Sequence, residues 1–235
     1  MGLYDRNYIQ QHSHESAYEH AGVNESSLGL FIKQTYQLFA ASLLAASAGA
    51  YVGIGMAKAI TSWYWGLVIL EFVFLFGLYA FKRKAGINMI LLFGFTFVSG
   101  LTIVPLLSHT LGMPGGASIV ANAFILTTVA FGGLSVFAMN TKRDFSAMGK
   151  MLFITLIVIV VAGIINIFFQ SPILQLAIAS ISSILFSAFI LYDTQNIIRG
   201  AYETPIEGAI ALYLDFLNLF VSLLQILGIF GSRDE

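Results

Sequence analysis

The chain contains no cysteine. Disulfides, thiolate metal sites, a cysteine nucleophile and palmitoylation are therefore excluded. Charge is scarce as well: Asp, Glu, Lys and Arg make up 10% of 235 residues, where an ordinary soluble domain carries about 25%. The net charge of -1 offers no nucleic-acid surface, and no GxxxxGK[ST] run is present to cradle a nucleotide. No lysine follows Lys150, so the last apolar segments have no amine for a Schiff base and a retinal photoreceptor is excluded. The opening MGLYDRNYIQQHSHESAYEHAGVNESS is polar and lacks a basic stretch followed by an apolar core. It is expected to be no secretory signal, leaving the first span to act as its own insertion signal.

What remains is apolar. Hydrophobic residues are 58% of the chain and the mean hydropathy is +0.86. A membrane span needs roughly 20 mostly apolar residues, and seven such segments run over 34–57, 63–81, 87–108, 116–139, 148–169, 172–196 and 207–230. The expected fold is an all-α polytopic membrane protein whose partner is the lipid bilayer. Residues 1–33 form a polar cytoplasmic segment, 34–230 a compact seven-transmembrane-helix bundle and 231–235 a short tail. MPGG (113–116), QSP (170–172) and ETPIEG (203–208) mark tight connections, which make successive helices antiparallel neighbours.

Orientation follows from the bases. Arg6, Lys33, Lys82, Arg83, Lys84, Lys142, Arg143, Lys150 and Arg199 fall on one side, and Lys58 and Arg233 on the other. The N-terminus is expected in the cytoplasm and the C-terminus outside. Small residues recur in AASLLAASAGAYVGIG, GFTFVSG and FGGLS, where close backbone approach explains them. Pro105 is expected to kink the third span.

Two aspartates inside apolar helices carry most of the functional reading. Asp193 lies in SAFILYDTQN and Asp215 in IALYLDFLNLF. An ionisable group in a span is costly and normally faces the bundle interior, a partner or water. Both segments repeat D-x-x-N, at 193–196 and 215–218. In the seventh span Asp215, Asn218, Ser222 and Gln225 form one stripe; in the sixth Gln175, Ser182, Asp193 and Asn196 share a face. Two carboxylates ~4 Å apart repel by roughly 4 kcal/mol at an effective dielectric of about 20. One shared proton removes that repulsion and makes the pair titrate as a unit. Protonated, the pair is a neutral latch between helices; deprotonated, it splays them or attracts a cation. Carboxylate and amide oxygens of Asp193, Asp215, Asn196 and Asn218 suit Ca²⁺.

Glu71 is a third acid, midway along the second span. Lys82 lies eleven residues on, with Arg83 and Lys84 beside it, and Lys82 or Arg83 is a candidate counter-charge to the aspartates. Snorkelling to headgroups accounts for these bases equally well. Asn122 and Asn166 are read as interhelical hydrogen-bonding amides. His12, His14 and His20, with Glu15 and Glu19, lack firm ligand spacing and read as a solvated tail; His109 borders a loop.

YDTQ (192–195), LYLDFLNLF (212–220) and TKRDFS (141–146) resemble the Bax inhibitor-1 family over nearly the whole chain. The compact length and the absence of a basic tail look more like its bacterial, YccA-like members, which implies the inner membrane. The resemblance implies a seven-helix bundle that leaks Ca²⁺ down its gradient in a pH-dependent way. It carries the pH-sensing pair onto Asp193 and Asp215, a second-span acid onto Glu71, and a base onto Lys82 or Arg83. No cofactor is expected, Ca²⁺ being cargo, and no enzyme activity. A second reading is a membrane subunit that regulates a membrane protease or stress partner without transport. A third, an intramembrane aspartyl protease, would need GxGD in the next span, and Leu212-Tyr213-Leu214-Asp215 has no glycine.

Overall fold

The structure is a computed structural model that describes residues 4–84 and 86–231, with side chains from residue 26 onward. The expectations for Arg6, the three tail histidines, Glu15, Glu19 and Arg233 fall outside the described side chains. Every regular element among the described residues is helical: α1 (Tyr4–Ile54), α2 (Ala57–Ser62), α3 (Tyr64–Ala80), α4 (Ile87–Thr102), α5 (Val104–Leu111), α6 (Gly116–Asn140), a 3-10 turn (Ser146–Met148), α7 (Gly149–Phe169), α8 (Pro172–Ile198) and α9 (Pro205–Gly231). Helix is the form that lets an apolar segment satisfy its own backbone in lipid.

Local chemistry sets the boundaries. Ser171 Oγ accepts from Leu174 N at 3.3 Å with Pro172 at the first helical position of α8. Thr204 Oγ1 accepts from Glu207 N at 3.3 Å while Glu207 Oε2 accepts from Thr204 N at 3.2 Å. That reciprocal pair is a capping box opening α9. Gly200, at φ +65, lets α8 close with Ala201 N donating to Asn196 O at 2.8 Å. Pro105 acts as expected: α4 stops at Thr102 and α5 begins at Val104 with Pro105 in its first turn.

Among the described residues six stretches are long and apolar enough to cross a membrane: Ser26–Ile54, Ile87–Leu111, Gly116–Asn140, Ser146–Phe169, Pro172–Ile198 and Pro205–Gly231. The expected second span is α3, an apolar helix of 17 residues, about 25 Å at 1.5 Å per residue. The count by length is therefore six with one short apolar helix.

α9 is the hub, packing on α8, α6 and α1. Phe216 meets Phe39, Phe124 and Phe131 edge-on at 6.1, 6.0 and 5.6 Å between ring centroids. α1 and α4 cross so closely that a Cβ on Gly49 would stand 2.1 Å from Phe97 O, and one on Gly100 2.0 Å from Ala46 O. α3 and α7 are peripheral: Leu78 is the buried residue of α3, and Leu152 and Asn166 those of α7. Their Phe72, Phe76, Phe153 and Val158 face outward, as lipid-facing side chains do.

Contacts also sort the helix ends. Leu28 lies by Gly200 and Thr35 by Gly208, while Gly53 at the far end of α1 lies by Val104. Lys82, the 141–148 loop and Arg199 share the first of these ends. Lys33, Lys82, Arg83, Lys84, Lys142, Arg143, Lys150 and Arg199 thus gather at one end of the bundle. Among the described residues Lys58 is the base of the other end. α3 links α2, which packs on α5, back to the basic end.

Candidate functional site: an aspartate pair beneath a lateral cavity

α8 and α9 make the most extensive helix pair in the molecule, and Asp193 and Asp215 meet across it. Both are buried, at 6% and 3% exposure, and their carboxyl groups lie within hydrogen-bonding reach of each other. Asp193 Oδ1 accepts from the Tyr202 hydroxyl at 2.6 Å. Asp215 Oδ2 is buried without a partner, an arrangement that a proton or a cation would relieve. Asn196 adjoins Asp193 and Tyr202.

The pair forms the floor of a cavity of about 670 Å³ that Asn218, Tyr202, Glu203 and Glu207 also line. Its outer walls are Phe72 of α3 and Leu156 and Val160 of α7. Because α3 packs on α4 and α7 on α8, the cavity lies in the cleft between these two peripheral helices. Further along α9, Ser222 Oγ donates to Asn218 O at 2.7 Å. Gln225 Oε1 accepts from Gln175 Nε2 at 2.9 Å, and Gln175 Oε1 accepts from Asn166 Nδ2 at 2.9 Å. Gln175 and Gln225 line a second cavity of about 420 Å³ at the opposite end, with His109 and Thr110. The polar stripe of α9 therefore runs from one cavity to the other, with the buried, hydrogen-bonded Ser222 between them.

The other motif residues hold this end together. Tyr192 packs on Gly149, where a Cβ would stand 2.7 Å from its hydroxyl. Thr194 Oγ1 donates to Ser135 Oγ at 3.4 Å. Gln195 Nε2 donates to Arg143 O at 2.7 Å, and Gln195 Oε1 accepts from Phe145 N at 2.9 Å. YDTQ thus docks TKRDFS onto α8. A family model described as inhibitor of apoptosis-promoting Bax1 matches residues 28–232, which includes both motifs and both aspartates. The chain belongs to the Bax inhibitor-1 family.

The family relatives extend along the chain. An uncharacterized Campylobacter jejuni protein is 60% identical over 99% of this chain and 100% of its own length. An uncharacterized membrane protein of Vibrio cholerae is 39% identical over 86% of this chain and 91% of its own. The Golgi anti-apoptotic protein of vaccinia virus is 35% identical over 68% of this chain and 65% of its own. The chain is an integral membrane protein of this family.

Not every residue expected at the site is there. Lys82 and Arg83 do not pair with the aspartates. Lys82 Nζ lies 3.0 Å from Glu207 Oε1 and 3.1 Å from Glu203 Oε1, and Arg83 Nη2 lies 2.7 Å from Glu203 Oε2. Hydrogen bonds to these acids hold both bases above their ordinary range, and Arg83 first, then Lys82, hold the Glu203 carboxyl below its own. The physical reason is reach: both bases sit beyond the C-terminus of α3, level with the α8–α9 loop, about two to three turns above Asp215. Glu71 stands apart too. Its Oε2 accepts from Thr102 Oγ1 of α4 at 3.3 Å, and Thr102 leads through Ser99 to Tyr213. Asn166 bonds between helices as expected, but Asn122 is exposed on α6. Among the described residues, no three His, Cys, Asp or Glu gather as a metal cluster.

Tyr202, Glu203 and Glu207 went unread in the sequence. The E-T-P-x-E spacing at 203–207 was the available signal for the acids. Burial, then the Asp193 carboxyl, pushes the Tyr202 phenol far above its ordinary range, so it remains a hydrogen-bond donor at any physiological pH.

The docked loop carries its own pH signature. Asp144 Oδ1 accepts from Ser146 N at 2.9 Å and from Arg199 Nη1 at 2.6 Å. The Ser146 backbone bond first, and then Arg199, lower Asp144 to about 2. A depressed carboxylate stabilises the fold above its unfolded value, near 4, and that contribution disappears as pH falls toward 2. Asp144→Ala is expected to melt below the parent at pH 6, with the gap closing between pH 4 and 2. A gap that persists unchanged at pH 2 would show that the carboxylate is not its source.

Proposed function

We propose that this protein is a pH-gated cation leak pathway, with Ca²⁺ as the conducted ion and Asp193 with Asp215 as sensor and part of the path. The observation that carries the reading is the facing, buried carboxyl pair at a cavity floor, with Asp215 Oδ2 unpartnered. An ionisable residue inside a membrane bundle is by default functional, and two of them must exchange protons or cations to coexist. Family membership supports the same residues. Two carboxylates with Asn218 and water make a shallow oxygen site, whereas tight Ca²⁺ sites use six to eight ligands. Weak binding suits conduction, since an ion must leave as readily as it enters.

In this reading α3 is a seventh crossing that is shorter than the others. The basic end faces the cytoplasm of a bacterial inner membrane, with the N-terminus inside and the C-terminus outside. Tyr202 and the Lys82–Glu207 and Arg83–Glu203 pairs cover the cytoplasmic approach to the aspartates. In this reading the hydrogen bonds at Ser222 and Gln225 close the path on the other side. No bond-making chemistry is assigned, and no cofactor.

The test is Ca²⁺ entry into proteoliposomes loaded with a fluorescent indicator, from pH 5 to 8. The parent is expected to show a pH-dependent flux whose profile is flattened in Asp193→Asn and in Asp215→Asn. Tyr202→Phe should displace the profile while leaving flux. Absence of flux from folded parent protein at every pH sinks the leak reading.

A further inference from the structure

The walls of the aspartate cavity do not resemble those of a path for hydrated ions alone. Above the carboxyl floor stand Phe72, Leu156, Val160, Phe189 and Leu214. The cavity occupies the cleft between α3 and α7, whose outer faces meet lipid, and Phe72 at its edge is 55% exposed. Its volume of about 670 Å³ lies within the usual 300–1,000 Å³ of small-molecule sites. Of the four acids that line it, Glu203 and Glu207 are neutralised by Arg83 and Lys82. Asp193 and Asp215 are met by no base among the described residues, and Asp215 Oδ2 is met by no hydrogen-bond donor.

We infer that this cavity binds a lipophilic amine: a single protonated ammonium seated on the Asp193–Asp215 pair, its hydrocarbon body lying between α3 and α7. The charge count fits, because a carboxyl pair holding one proton carries one negative charge, which one ammonium matches. An ammonium donates up to three hydrogen bonds, and Asp215 Oδ2 and the side-chain amide oxygen of Asn218, which also lines the cavity, are acceptors for it. Burying the chain against the aromatic and aliphatic wall adds the apolar contribution. An alcohol of equal length keeps that wall contact and loses the ion pair. An alkyl sulfate brings a second negative charge to the acids and is excluded. Entry is sideways from the bilayer, where amphiphilic amines concentrate. The inference takes the aspartate pair of the proposed leak pathway as its floor, but it needs no ion flux.

The test is photolabelling of the full-length protein in liposomes with a dodecylamine that carries a chain-terminal diazirine, followed by peptide mapping. Crosslinks are expected on the cavity-facing residues of α3 and α7, protected by excess dodecylamine and unaffected by excess dodecanol or dodecyl sulfate. Asp215→Asn should reduce the protectable labelling about tenfold or more, the order of a lost charge-assisted hydrogen bond. Leu156→Trp, which narrows the cavity without touching an acid, should do the same and serves if the aspartate variant fails to fold. Labelling spread evenly over the lipid-facing helices, or equal protection by dodecanol, overturns the inference. Protected labelling in a parent that shows no Ca²⁺ flux would keep the amine site and remove the leak reading. Flux without protected labelling would do the reverse.

Discussion

Gly100→Ala is expected to lower the stability of the detergent-solubilised protein by ~3 kcal/mol or more, as overpacking does where nothing can yield. Its Cβ would lie 2.0 Å from Ala46 O and 2.8 Å from Ala46 C. These are backbone atoms of α1, so relief requires the whole helix to move. Across the same crossing a Cβ on Gly49 would stand 2.1 Å from Phe97 O, which is why both helices carry small residues there. Separating α1 from α4 also disturbs α9, since α1 packs on both. Gly163→Ala is the matched control. It lies on α7 with nothing within 4 Å of its added Cβ, and a mid-helix alanine is expected to be neutral or to stabilise by about 0.5–1 kcal/mol. Thermal unfolding of the two variants beside the parent decides the matter. Equal midpoints for Gly100→Ala and Gly163→Ala would mean that the α1–α4 crossing is wider than described.

Gln195→Ala is expected to cost about 2–4 kcal/mol and to release the 141–148 loop. The side chain is 3% exposed. It satisfies Arg143 O and Phe145 N at once, with Ala138 O at 3.5 Å as a third contact. Truncation leaves a donor and an acceptor unmade in a partly buried place, at roughly 1–3 kcal/mol each. Gln195→Glu separates shape from chemistry: it keeps the acceptor for Phe145 N but sets an oxygen against Arg143 O. It should therefore fail to rescue. Limited trypsin cleavage at Lys142 and Arg143 reads the loop directly. Faster cleavage in both variants, with the helical content retained, is the expected result. Unchanged cleavage in Gln195→Ala would show that Asp144 and Arg199 hold the loop unaided.

Both results bear on the functional site, because Gln195 stands two residues from Asp193 and α1 packs against the helix that carries Asp215. Gln195 holds the C-terminal end of α8 against the loop, and α9 is held by α1, α6 and α8. The carboxyl pair therefore depends on contacts far from its own atoms, and softening either contact should lower the melting point and, under the proposed leak function, alter the pH profile of flux.

The sequence by itself determined the solvent, the element type and the two aspartates. Apolar runs of span length in a chain with 10% charged residues leave no alternative to a helical bundle in lipid. The D-x-x-N repeat places each aspartate on the polar face of its helix through a period of 3.6 that any reader of the chain can count. Proline and the capping residues mark where α5, α8 and α9 begin, since these act within one turn. Tertiary structure decided which groups meet. Lys82 falls on nearly the same face of the second span as Glu71, with Arg83 beside it, yet the two bases end on Glu203 and Glu207, because the α8–α9 loop is what stands opposite the end of α3. Glu71 is likewise turned toward Thr102, away from the aspartates. Tyr202 reaches Asp193 from nine residues along the chain only because Gly200 reverses the backbone between them. Periodicity fixes a residue's angle on its own helix. The rotation and crossing of neighbouring helices, set by glycine contacts and aromatic packing spread over the whole bundle, choose its partner.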